Sequence, residues 1–122
     1  MPLPDDSYRY GDHLAAYDLF YSHHGIYISE SVIHLNKQEG IRITSVEDFA
    51  QGREIRVIQH TGADPDKTVK RAVDMMLHFD IPYHLLFWNC ETFCLAALGL
   101  LPISKQVIHK TVKLLEALFY GR

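Results

Sequence analysis

The sequence predicts an α+β fold in which an antiparallel sheet packs against helices. Two observations carry this. Short alternating stretches crowd the first half of the chain, at 24–28, 32–35, 41–43 and 54–59. Helical spacing takes over after Asp64-Pro65. Strands that cluster first, with helices mostly following, give the α+β class. The 122 residues suffice for one domain with a real core and are too few for two.

In chain order, residues 1–7 read as a loose end and Gly11-Asp12 as a turn. His13 to Leu19 is then a first strand. His24 to Ile28 and Val32 to Leu35 form a hairpin around a short polar loop, Ser29-Glu30-Ser31. Ile41 to Ile43 is a further short strand. Ser45 caps one helical turn, Val46 to Ala50, that Gly52 ends. Glu54 to Gln59 alternates again. Asp64 and Pro65 suit the cap and first position of a helix that carries Val69, Ala72, Val73, Met76 and Leu77 on one face and ends before Pro82. A helix from Cys90 to about Gly99 follows, and Pro102 breaks it. Residues 104–120 form a C-terminal amphipathic helix with Val107, Thr111, Leu114, Leu115 and Leu118 on its stripe. Lys110 and Lys113 beside that stripe leave two uses open, a membrane surface or an ordinary core contact.

Loop parity decides which hairpin residues share a face. An even loop puts Ile26, Ile28, Ile33 and Leu35 together on one side, and His23, Gly25, Tyr27 and His34 on the other. An odd loop would set His34 among the isoleucines. The apolar pattern favours the even loop. With a turn at Ser29-Glu30, His34 stands opposite Gly25 and diagonal to His23, within side-chain reach.

Composition excludes several classes. A net charge of −3 makes no case for nucleic acid. Two cysteines four residues apart do not make a disulfide framework and fit a reducing compartment. There is no basic-then-apolar leader pattern, and no apolar run approaches the 18 or so residues of a span. The expectation is a cytoplasmic protein that meets membrane only peripherally. The oligomeric state is not legible.

The chemistry centres on Asn89-Cys90-Glu91, between two apolar runs. Asn89 is a strong N-cap, and Glu91 suits the first-turn dipole. Cys90 would be the first helical residue, where dipole and amides favour the nucleophilic thiolate. A base is needed, and His23 and His34 lie in paired apolar stretches upstream.

His23-His24-Gly25-Ile26-Tyr27-Ile28, Val32-Ile33-His34-Leu35 and Asn89-Cys90-Glu91-x-Phe93, in that order, resemble the lecithin:retinol acyltransferase family. The resemblance spans roughly 8–107. The family includes small phospholipase/acyltransferases and is a permuted relative of NlpC-type, papain-like enzymes. The hairpin connection is about one residue shorter than the family's and lacks its Gly-Asp-Gly-type turn. The resemblance implies Cys90 as nucleophile, His23 as base and His34 as the residue that orients it, with a phospholipid or other acyl ester as donor. Water, an amine or a hydroxyl would accept the acyl group, and no cofactor is implied.

Asn89, Tyr27, Trp88 and His24 are candidate substrate-side residues. Packing readings stand beside Tyr27 and Trp88, and His24 belongs at the edge of the apolar face. Cys94, one turn on, reads as core. His13, His60, His78, His84 and His109 read as surface or partly buried polar residues. The same triad would serve an NlpC-type amidase or peptidase, and the fold could persist as a non-enzymatic interaction module. His23, His34 and Cys90 are also zinc ligand types, but no fourth ligand stands at a diagnostic spacing.

Overall fold

The computed structural model describes residues 7–20, 22–78, 89–101 and 117. Apart from residue 117, the expected helix over 104–120 lies outside the described residues, as do Trp88, His84, His109 and the helix end before Pro82. Five strands form one antiparallel sheet in the order β4-β3-β2-β1-β5. They are β1 (His13–Tyr17), β2 (Ser22–Tyr27), β3 (Ser31–Asn36), β4 (Gly40–Ser45) and β5 (Glu54–Ile58). Three helices complete the fold: α1 (Val46–Ala50), α2 (Pro65–His78) and α3 (Cys90–Ala97). The architecture is α+β and consistent with a small papain-like fold.

β1 stops at Tyr17, two residues short of the expected end. Asp18 ends it by accepting the Phe20 amide at 3.0 Å in a local turn, and Arg53 grips the same carboxylate at 3.2 Å. The β2–β3 register is the one that hydrophobic patterning favours, with Ile26 opposite Ile33 and Tyr27 opposite Val32. The connection is a two-residue turn at Ser29-Glu30, closed by the Ile28 amide donating to Ser31 O. Glu30 takes a left-handed φ of 52° there.

This register sorts the core into two layers. Ile26, Ile33 and Leu35 face α2 and α3, packing with Val69, Ala72, Met75, Phe93 and Cys94. On the other face Leu14, Ala16, Tyr27 and Val32 pack with Tyr8, Val46 and Phe49. Full burial of a side chain such as Phe93 or Phe49 contributes about 1.5–3 kcal/mol. The sheet is therefore covered on both sides, and each of its central strands shows one side chain to each layer in turn.

Gly25 is required by packing. A Cβ there would stand 2.3 Å from Val32 Cγ1, 2.9 Å from Phe49 Cε1 and 3.2 Å from His34 Cβ. Gly25→Ala is expected to destabilise by roughly 1–3 kcal/mol, as overpacking does. A urea unfolding midpoint equal to that of the parent would show that the sheet can yield here.

Candidate active site

α3 starts where the sequence places it. Asn89 is the N-cap, in extended backbone, and its side chain accepts the Thr92 amide at 3.0 Å. Thr92 Oγ1 in return accepts the Asn89 amide at 2.8 Å, closing a capping box. Thr92 is a part of this device that sequence reading passed over. The box holds Cys90 at the helix start, buried, with its sulfur 4.0 Å from the Ser22 carbonyl oxygen. Cys94, one turn on, is fully buried, and burial pushes its thiol well above the usual range. It is a core residue.

His23 and His34 meet as the hairpin register requires, His23 Nε2 to His34 Nδ1 at 2.8 Å. Both rings pack against Phe49, at 5.1 and 5.4 Å between centroids. His34 Nε2 reaches Thr44 Oγ1 at 3.0 Å on β4. Thr44 in turn donates to the Ser45 carbonyl at 3.3 Å. With the Thr44 hydroxyl proton assigned to the Ser45 carbonyl, which only accepts, the direction of the whole chain is set. Thr44 donates to Ser45, His34 donates through Nε2 to Thr44, and His23 donates through Nε2 to His34. Nδ1 of His23 is left as the basic nitrogen.

Burial holds His23 below its ordinary pKa, at about 4, with further lowering by His34, Arg53 and His24. His34 is also lowered by burial, opposed by Glu39. Both rings are neutral near pH 7.

His24, the next residue of β2, points to the opposite face, the one α3 covers. There it belongs to a second histidine chain, which sequence reading did not find. His24 Nδ1 meets His13 Nε2 at 2.8 Å, and His13 Nδ1 meets His60 Nε2 at 2.9 Å. His24 Nε2 lies 3.1 Å from Ser22 Oγ and 3.7 Å from the Glu91 carboxylate. His13 is 3% exposed, against the expected surface or partly buried position, because β1 runs through the middle of the sheet. Its pKa falls to about 3, through burial first and then His24 and His60.

The candidate residues are thus distributed over two faces. His23 and His34 share the α1 side, His24 shares the α3 side with Glu91, and Cys90 sits at the α3 start against the first residue of β2. Tyr27 is buried beside Tyr8, with ring centroids 5.5 Å apart, and its hydroxyl accepts the Glu30 amide at 3.0 Å. The side-chain oxygen of Asn89 serves the helix cap. A cavity of about 450 Å³ opens on the His23–His34 side, between β3, α1 and the segment that leads into β5. Among the described residues no group of three or more His, Cys, Asp or Glu could hold a metal ion, and no helix is long and apolar enough to cross a membrane.

The family model of lecithin retinol acyltransferase matches residues 6–98. A comparison with curated proteins found no match. The matched span runs from the segment before β1 through α3, so it takes in both histidine chains and the capped cysteine.

Proposed function

We propose that this chain, which belongs to the lecithin retinol acyltransferase family, transfers acyl groups through a thioester on Cys90. The family suggests activity of the acyltransferase and phospholipase type. The observation that carries the finer reading is the directed chain from Ser45 through Thr44 and His34 to His23, which supports a neutral ring with a basic Nδ1. His23 takes the thiol proton. The sulfur attacks the ester carbonyl, and the amide of Cys90 at the helix start stabilises the oxyanion. His23 returns the proton to the leaving alcohol, and water, an amine or a hydroxyl then takes the acyl group. His34 holds the ring in place, as the third member of a triad does.

The neutral His23 ring favours proton transfer during attack over a standing thiolate–imidazolium pair. The phospholipid as donor rests on the family. Intact mass spectrometry after incubation with mixed phospholipids and acyl-peptides tests the reading. An acyl gain confined to Cys90 from the lipids supports it, while a gain from the peptides alone would make the protein an amidase.

α3 packs on the face that carries His24, and this favours a second reading in which His24 is the base. The bonding pattern opposes it. Both ring nitrogens of His24 are engaged on that face, Nδ1 by His13 at 2.8 Å and Nε2 by Ser22 Oγ at 3.1 Å, with the Glu91 carboxylate 3.7 Å away. His23→Ala is therefore expected to slow acylation by about 10²–10⁴, the usual value of a general base. His34→Ala should slow it less, and His24→Ala should lower stability more than turnover. A dead His24→Ala beside a nearly normal His23→Ala in single-turnover kinetics would transfer the base to the other face.

A further inference from the structure

We propose that His24 is a positioning residue, tying the start of β2 to the start of α3 and so fixing how Cys90 and His23 meet. For the reaction that it serves, this rests on the acyl-transfer reading. The tie itself does not depend on it.

His24 Nε2 has two polar neighbours, and each lies next in sequence to a member of the proposed triad. Ser22 Oγ, at 3.1 Å, belongs to the residue before His23. The Glu91 carboxylate, at 3.7 Å, belongs to the residue after Cys90. One nitrogen thus stands between the strand that carries the base and the helix that carries the nucleophile. Ser22 is also where the two elements touch, since the Cys90 sulfur lies 4.0 Å from its carbonyl oxygen. The Ser22 bond is the stronger arm. The Glu91 side chain is 60% exposed, so water screens its pull on His24.

β2 needs such a hold at this end. Ser22 opens the strand, and the loop before it gains little from packing, with Leu19 and Phe20 almost fully exposed. Its holds are polar: Arg53 on Asp18, the pairing of Ser22 with Tyr17, and His24 on the Ser22 hydroxyl. Of these three, the last also faces the start of α3.

The ring of His24 is itself fixed from behind. It is buried, and His13 Nε2 holds its Nδ1 at 2.8 Å. His13 is held in turn by His60, whose ring stacks on it with planes 9° apart and centroids at 5.1 Å. β2, β1 and the stretch after β5 thus join in setting one imidazole. A group whose rotamer is locked by its neighbours can hold a site to the precision that attack requires. Misplacement by about 1 Å can cost up to about 10²-fold in rate.

The test separates the two ends of the ring. In His24→Gln the side-chain amide reaches the place of Nε2, and in His24→Asn the place of Nδ1. Gln therefore keeps the tie and gives up the His13 bond, while Asn does the reverse. In single-turnover acylation of Cys90 by p-nitrophenyl butyrate, His24→Asn should be slower than the parent by about tenfold. His24→Gln should be slower by about threefold at most, the part that His13 contributes by fixing the ring. Ser22→Ala should also slow the step, and adding it to His24→Asn should cost nothing further. Ser22 is not buried, so Ser22→Ala tests the tie even where His24→Asn fails to fold. Alkylation of Cys90 by iodoacetamide reads the tie without an acyl donor. It should quicken in His24→Asn, where the thiol is no longer held at Ser22, and stay near the parental rate in His24→Gln. Equal acylation in the Gln and Asn variants, parental acylation in Ser22→Ala, or full additivity of Ser22→Ala with His24→Asn would overturn the proposal. Quickened alkylation in both His24 variants would mark general loosening and overturn it too. A parent that does not acylate, with the order of alkylation rates as expected, defeats the acyl-transfer reading alone. Acylation that His24→Asn and Ser22→Ala leave unchanged defeats the tie alone.

Discussion

Cys90→Ala is expected to abolish the acyl-enzyme and to slow turnover by roughly 10⁴–10⁶, the scale seen when a nucleophile that acts as one unit with its base is removed. Cys90→Ser should retain the fold, since the capping box of Asn89 and Thr92 does not involve the thiol. The adduct on the parent should be released by hydroxylamine, as a thioester is. An adduct that persists in Cys90→Ala, or that maps to Cys94, would remove Cys90 from the mechanism. Cys94 is a poor alternative, because full burial keeps its thiol protonated and out of reach of substrate.

Acid should unfold this protein through its histidines. In the folded chain His13 and His23 are held down to about 3 and about 4, below the ordinary histidine value of 6.5. An unfolded chain therefore binds more protons between those values, and stability rises with pH. The stabilisation is fully present above pH 6.5 and is lost as pH falls toward the folded values. For buried His13 the loss between pH 7 and pH 5 is about 2 kcal/mol, with a smaller share from half-buried His23. His24 and His34 are lowered in the same direction. The urea midpoint should drop steeply over that interval, and His13→Asn should flatten the slope. A midpoint that holds constant from pH 7 to pH 5 would mean that the histidines are not kept neutral by the fold.

The parts of this site that could be read from sequence are those governed by local rules. Asn89 before an apolar helix marks its own cap. Ile26, Ile28, Ile33 and Leu35 can share a face only if the hairpin loop is even, and that parity brings His34 to His23. The second chain lay out of reach. His13 stands opposite Ile26 and so diagonal to His24, the same relation that joins His34 to His23. Seeing it required knowing where β1 stops, and Asp18 stops it through a turn and an ion pair with Arg53, 35 positions on. His60, just past β5 and 47 positions from His13, and Thr44, on β4 and 10 positions from His34, join the chains through contacts between segments, which patterning within one segment does not encode. For the same reason the side of the sheet that α3 occupies was not legible. Alternation says that His23 and His24 part company, and it does not say which of them a distant helix will cover.

That parting has a consequence for how the molecule takes up acid. Two neighbouring residues of one strand feed two separate imidazole chains, and the strand is thin enough for charge on His24 to weigh against charge on His23. Within the second chain, His24 and His60 likewise weigh against His13. The first proton to enter makes the next less welcome, whichever face it enters. While the fold holds, titration across β2 is then anticooperative, with apparent midpoints that belong to the set and not to any single ring. A protein with eight histidines will thus spread the response of its central rings over a broad band of acidity, where a lone imidazole would switch within about two pH units.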